Sequence, residues 1–471
     1  MTVSHDTLTP LPSAHVPPLD PGFVPAIQWV RAYQARVAAD PDSRPLALAV
    51  EREGGYRDIY RTRILPHRGA AVALNNRYVE RLVKFLLWQR GGTRVTVGGP
   101  AELATMLGSV YSPTGARHFD AEFFSARCYR SPMVFESCAY EDSPAPHEAS
   151  RPLGRHLEGC RIGFDLGGSD RKCAALIDGK VVFSDEVAWN PYFEKDPSYH
   201  VNGIQDSLLR AAAHLPRVDA IGGSAAGIYV NNEIRVGSLY RGIAAADFDR
   251  HIRRLFFDLK PRWNNVPLEV VNDGEVTALA GSMSLNVNAL LGISLGTSTA
   301  GGYVTPEGNI TTWLNELAFV PVDFRANAPA DEWSGDEGCG VQYFSQQAVG
   351  RLLGPAGIDL PAALPLPEKL VEVQRLMEAG NARAHSLFET IGVYLGYSMA
   401  WLAEFYTMEH ALVLGRVTSG AGGNVIVERA QAVLRDEFPA LAQRLRLHVP
   451  DERFKRHGQA IAAASLPAIG S

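Results

Sequence analysis

Between Arg77 and Gln89, apolar side chains recur at Val79, Leu82, Val83, Leu86 and Leu87, the i, i+3, i+4, i+7 spacing of one helix face. That spacing predicts an amphipathic helix with Arg81 and Lys84 on its other faces. GGTRVTVGGP then reads as a short strand between glycines, and PAELATMLGSVY as a helix opened by a proline in its first turn. Helix alternating with strand predicts a small α/β unit. The first two dozen residues are proline-rich and polar and predict a loose arm over residues 1–25. The stretch EDSPAPHEASRPLG, residues 141–154, has the composition of a linker, so the extension is expected to span residues 26–154.

Beyond it the pattern changes to strand, glycine turn, strand. CRIGFDL, CAALID and GKVVFSDEVAW predict a meander of hairpins, and PLEVVNDGEVTALAGS a buried strand running into a helix. NALLGISLGTSTAGGYVTPEGNIT is again strand, glycine turn, strand. The second glycine hairpin repeats the first in kind. Two mixed α/β halves, residues 155–285 and 286–471, are therefore expected to face one another across a cleft.

The chain has 471 residues, 46% hydrophobic and 20% charged, room for about three domains. Its formal charge of −6 disfavours a nonspecific nucleic-acid or anionic-membrane binder. Five scattered cysteines without a CxxC pair argue against a disulfide framework and a metal knuckle. No apolar stretch approaches the roughly 20 residues that span a bilayer, and no export signal is evident. A cytoplasmic protein with reduced thiols is expected.

Glycines let backbone N–H groups approach a ligand, and successive N–H groups in a tight turn form an anion site. Asp165-Leu166-Gly167-Gly168-Ser169 and the run Gly296 to Gly302, with Thr297, both meet that need. Asp165 cannot bind phosphate itself, so its expected task is to hold Mg²⁺ against phosphates. Between the turns, Asn272 and Asp273 end an apolar strand and precede a helix, where α/β folds present side chains to ligands. Asn and Asp are also good helix N-caps. Placed between two phosphate-type turns, Asp273 suits a general base that deprotonates a hydroxyl during in-line phosphoryl transfer.

The set DLGGS, VND, SLGTSTAGG, LNELAF and HGQAIAAAS resembles the ROK family of sugar kinases and repressors, in the actin-like and hexokinase-like ATPase superfamily. The resemblance covers roughly residues 158–471. It implies two RNase H-like lobes with ATP and a sugar between them, Asp273 as base, and Asn272 and Glu316 on the sugar. It also implies Asp165, Gly167, Gly168 and Ser169 at the first phosphate turn, Gly296 and Thr297 at the second, Gly415 by the adenosine, and a homodimer.

The departures from the family pattern change the expectation. Members carry GELGH where this chain has Asn315-Glu316-Leu317-Ala318-Phe319, and CxCGxxGCLE where it has Glu332 to Val341. Of the zinc-binding histidine and cysteines only Cys339 survives, too few for tetrahedral zinc, so no structural zinc site is expected. Phe319 and Val341 replace two sugar contacts and are expected to face a less polar ligand edge. The substrate should thus differ from plain glucose: a cyclitol, a deoxy sugar or an N-acyl sugar.

The expected protein is an ATP- and Mg²⁺-dependent carbohydrate or cyclitol kinase. The alternative is a non-catalytic ligand sensor or a transcriptional regulator, since the helices of the extension superficially resemble the start of a winged helix-turn-helix. Arg171 and Lys172 are expected on an exposed hairpin rim and Arg416 in solvent. His200, His214 and His457 are expected to be ordinary histidines, and Tyr192-Phe193 to be packing residues.

Overall fold

Four strands of the extension form one sheet in the order β2-β1-β3-β4: β1 (Arg44–Glu51), β2 (Arg57–Ile64), β3 (Arg94–Gly98) and β4 (Val134–Cys138). The computed structural model of the chain describes residues 8–148, 153–449 and 454–470, with side chains from 458 onward in the last segment. Central β1 buries Leu46, Leu48 and Val50, and three helices accompany the sheet: α1 (Ala26–Ala39), α2 (Ala71–Arg90) and α3 (Ala101–Val110). Helix α2 is longer than the apolar stripe predicts, and Arg81 and Lys84 are buried rather than outward-facing. A helix buried nearly all round is clamped between layers. Here Phe85 stacks on Phe405 and meets Trp401, while Trp88 stacks on Phe319 at 4.2 Å. With β3 between α2 and α3 and α2 buried, the pair is no DNA-reading helix-turn-helix.

The amino-terminal segment departs from the expected loose arm. Residues 1–7 lie outside the described residues, but Asp20 is buried and bonds Arg325 at 2.6 Å and Tyr394 at 2.6 Å. Phe23 packs against Tyr343 and Tyr394. Of the expected linker, residues 149–152 lie outside the described residues, while His147 exchanges backbone hydrogen bonds with Arg57.

The next sheet contains β5 (Cys160–Leu166), β6 (Asp170–Ile177), β7 (Lys180–Ala188) and β8 (Ala220–Ala225). A separate hairpin, β9 (Ile228–Val230) and β10 (Glu233–Val236), precedes β11 (Leu268–Asn272), and the sheet order is β11-β8-β5-β6-β7. The last sheet is β13-β12-β14-β15, from β12 (Leu290–Leu295), β13 (Thr299–Val304), β14 (His410–Leu414) and β15 (Arg446–His448). Each begins with an antiparallel glycine hairpin, β5–β6 or β12–β13, and adds two parallel strands beside its first member. The chain therefore traces one α/β path twice, the two-lobe architecture of actin-like ATPases.

The Asp273–Leu285 helix leaves β11 and lies on β12 and β13. The Phe454–Ala464 helix returns to β5 and β8. It comes so close that a Cβ on Gly163 or Gly222 would overlap the carbonyls of Ala460 and Ala463. One continuous hydrophobic core joins the extension to the second lobe, whereas the first lobe has its own. Among the described residues no helix is long and apolar enough to cross a membrane. His200 is a core histidine beside Tyr240, whereas Phe193 is exposed beneath Arg241 instead of packed.

Candidate active site

β5, β8 and β11 run parallel and end at one edge, which sets Leu166, Ala225 and Asn272 in register. Ligands of open α/β sheets bind at such carboxyl ends. Asp165 lies next to Ser224, whose hydroxyl donates to it at 2.6 Å. Burial lifts its carboxyl to about 6; the Ser224 bond opposes this and the charge of Asp273 adds to it.

Asn272 caps the following helix. Its Oδ1 accepts the Gly274 N–H at 2.7 Å and its Nδ2 donates to the Gly227 carbonyl at 2.6 Å, so the side chain expected on the sugar is largely committed to fixing this corner. Asp273 accepts the Gly274 N–H through Oδ1 at 3.0 Å. Its Oδ2 accepts from no other residue among the described ones, and burial raises its pKa despite the bonds from the Gly274 N–H and its own backbone N–H. The Glu316 side chain likewise has no hydrogen bond, and burial, with the charge of Asp273, pushes it to about 7.

Close backbone packing fixes where Asp273 stands. A Cβ on Gly302 would overlap the Gly274 carbonyl, and one on Gly274 would overlap that of Gly301. The first turn of the Asp273 helix thus rests on β13, the strand that leaves the second glycine turn. Glu316 is fixed from the other side, by the extension. The N–H groups of Asn315 and Glu316 donate to the carbonyls of Gln89 and Trp88, each at 3.0 Å. Asn315, at φ 50°, bonds Glu275 and accepts the Tyr406 hydroxyl at 2.6 Å.

Ser224, Glu275 and Asn315 are supporting residues that the sequence did not single out. Glu275 is 3% exposed and is pushed by burial to about 8. An acidic residue in a helix's first turn is so common that only its lying beside VND could have drawn attention to it.

At the first glycine turn, the Gly167 N–H donates to the Asp170 carbonyl at 2.9 Å and Trp189 Nε1 donates to the Gly167 carbonyl at 2.7 Å. Ser169 bonds Asp170 at 2.9 Å, and the Tyr192 hydroxyl lies where a Cβ on Gly168 would be. At the second, Thr297 is exposed and the Gly296 N–H is tied to the Ser298 carbonyl at 2.9 Å. Gly415 has φ 105° and crosses the end of β12 so closely that a Cβ would lie 2.5 Å from the Leu295 carbonyl. This brings Gly415 to the second turn, while Arg416 is exposed.

Arg171 is not on a rim. It is 8% exposed and bonds Ser207 at 2.6 Å and Asp206 at 2.7 Å, because β6 turns it toward the Pro197–Ala212 helix. Lys172 is half-buried and bonded to Asp170 at 2.8 Å.

Phe319 and Val341 are buried, and Phe319 meets Trp88 and Trp333. Phe319 thus packs against the extension rather than lining the edge of a ligand. In the run 332–341, Asp336 pairs with the buried Lys84, which also bonds Asp120 at 2.8 Å, and with Arg117 at 2.5 Å. Among the described residues no group of three or more His, Cys, Asp or Glu could hold a metal ion.

No protein-family model matches the chain. A glucokinase of Halalkalibacterium halodurans is 27% identical over 286 residues, 56% of this chain and 82% of that protein. Among solved structures, a ROK hexokinase from Thermus thermophilus shares the fold with TM-score 0.51 at 18% identity, over 65% of this chain and 97% of that one. A ROK family transcriptional regulator, a homologue of the E. coli MLC protein, matches with TM-score 0.50 at 18% identity, over 66% of this chain and 79% of that one. The sequence match to a glucokinase and the two-lobe fold shared with a ROK hexokinase and a ROK regulator bear out the chain's resemblance to the ROK family of sugar kinases and repressors, on the actin-like ATPase fold.

Proposed function

We propose that the chain is an ATP-dependent kinase that phosphorylates a hydroxyl of a sugar or sugar-like polyol, with Asp273 as general base. The carrying observation is Asp273 itself: a carboxylate at the ligand edge of the first sheet, held by the Gly274 N–H and its own backbone N–H, whose second oxygen accepts from no other residue among the described ones. That oxygen can accept the acceptor's hydroxyl proton, leaving the alkoxide-like oxygen to attack a γ-phosphoryl group in line. The resemblance to a glucokinase agrees with this chemistry. Glu316 then accepts from a neighbouring hydroxyl, and the two glycine turns supply N–H donors to phosphate oxygens.

Asp165 suits Mg²⁺: a hard oxygen donor, buried, beside a cation, Lys172, that is spent on Asp170. Bound there with ATP, the ion would neutralise phosphate charge. An acceptor other than plain glucose fits the absence, at positions 319 and 341, of the polar side chains that the family pattern places on the sugar, Phe319 being turned instead onto Trp88. The test is ADP release across hexoses, N-acyl hexosamines, deoxy sugars and cyclitols; if none exceeds the background of Asp273→Asn, the reading fails.

Three further outcomes are expected. Because the base must be ionised and burial raises its pKa, kcat/KM should climb with pH toward neutrality, beyond the pH of about 4 at which an ordinary aspartate is half ionised. Stability should move the opposite way. Asp165, Glu316 and Glu275 hold protons up to about 6, 7 and 8 in the native state, whereas the unfolded chain releases them near pH ~4. The native state binds more protons through that window, so Tm without ligand should fall as pH rises from about 5 to 8. Gly302→Ala, which pushes the Gly274 carbonyl and hence Asp273 out of place, should lower kcat/KM by about 100-fold while the protein stays folded by circular dichroism.

A further inference from the structure

A cleft opens where the extension meets both lobes. It is lined by Asn272 and the Gly227 backbone that Asn272 holds, and by Glu53, Tyr56 and Tyr129 of the extension. The extension's side is clasped from β10. Arg235 donates to both Glu53 oxygens at 2.9 and 3.1 Å and to the Cys128 carbonyl at 3.3 Å. We propose that this cleft is the outer half of the acceptor site, in which Glu53, Tyr56 and Tyr129 hold the end of a neutral, polyhydroxylated acceptor remote from the phosphorylated hydroxyl.

The chemistry of the lining selects that class. It carries one cation, Arg52, against three carboxylates, Glu53, Glu269 and Glu275, and each of the four is hydrogen-bonded within the protein. Arg52 grips Glu148 through two bonds at 2.6 and 2.9 Å, Glu53 is paired with Arg235, Glu269 is bonded to Asn232 at 3.0 Å, and Glu275 is bonded to Asn315. No cation is left over for the phosphate of a sugar phosphate or the carboxylate of a sugar acid, and burying an unmatched anion there would be costly. What the lining does offer is aromatic surface from Tyr56, Tyr129 and Trp313, with amide and hydroxyl groups from Asn231 and Thr312. Apolar ring faces beside a few placed hydrogen-bonding groups suit a polyol, whose C–H face is apolar and whose rim is hydroxyl.

The word acceptor rests on the kinase reading, and the experiment separates the two. Full-length protein, Glu53→Ala and Tyr56→Ala are titrated by ligand-observed NMR with neutral hexoses, methyl glycosides, disaccharides, cyclitols, hexose phosphates and uronic acids. Binding of the ATP analogue AMPPNP serves as the folding control. Expected is binding of at least one neutral compound to the wild type, weakened about tenfold or more in both variants, with AMPPNP affinity unchanged. Neutral binding that the variants leave intact, binding confined to the anionic compounds, or no neutral binding at all overturns the proposal. If the variants lose a neutral ligand but no compound drives ADP release, the kinase reading falls and the cleft remains a polyol site. If an acceptor is phosphorylated with the same KM in the variants, the kinase reading stands and the cleft is no part of its site.

Discussion

Asp273→Asn is expected to lower kcat by about 10²–10⁴-fold, the usual contribution of a positioned general base, with a much smaller change in KM. The amide keeps the shape and can still accept the Gly274 N–H through its oxygen, so geometry is preserved while the proton acceptor is lost. Burial disfavours the charge of Asp273 in the native state, so removing it should leave Tm unchanged or raise it. A coupled ADP-release assay and a melting curve on the same preparations decide the matter. Loss of activity together with unfolding would mean that Asp273 is a structural cap; full activity would move the base elsewhere.

Lys84→Met should destabilise the protein by about 3–5 kcal/mol, the cost of breaking a buried ion pair from one side. Lys84 has no exposed side-chain surface and bonds Asp120 and Asp336, themselves nearly fully buried. Burial alone would push the ammonium toward its neutral form, but the charges of Asp120 and Asp336 outweigh it and raise its pKa. Methionine leaves two carboxylates with Arg117 as their remaining partner. Adding Asp120→Asn and Asp336→Asn should recover much of the loss, because the orphaned charges go with the lysine. Since the extension shares one core with the second lobe, both should melt together in urea or heat. A separate early transition of the extension alone would show the cluster to be dispensable for docking.

The glycine hairpins and the strand ending in Asn272 are readable from the chain because each is a local pattern whose geometry its own residues impose. What the chain hides is contact at long range. Lys84 looks like a solvated residue on an amphipathic helix because its burial is made tolerable by Asp120 and by Asp336, 36 and 252 residues away. Phe319 looks like a substituted ligand contact because Trp88, which covers it, belongs to another sheet's helix. Arg171 follows a glycine turn and reads as rim, yet strand alternation sends it inward to Ser207 and Asp206. Asn272 carries its residue type for two reasons at once, and only the bonds to Gly274 and Gly227 show how much of it capping consumes.

The docking of α2 on residues more than 250 positions downstream also bears on how the chain is made. The extension leaves the ribosome first, yet Lys84 must wait for the 252 residues that separate it from Asp336. At cellular elongation rates that interval is roughly 13–50 s. Throughout it, Phe85 lacks Trp401 and Phe405, and Trp88 is covered only by Phe123 and Phe124 of the extension, so the nascent chain carries an adhesive surface. Its yield in a cell should therefore depend on chaperone supply far more than the finished protein's stability would suggest.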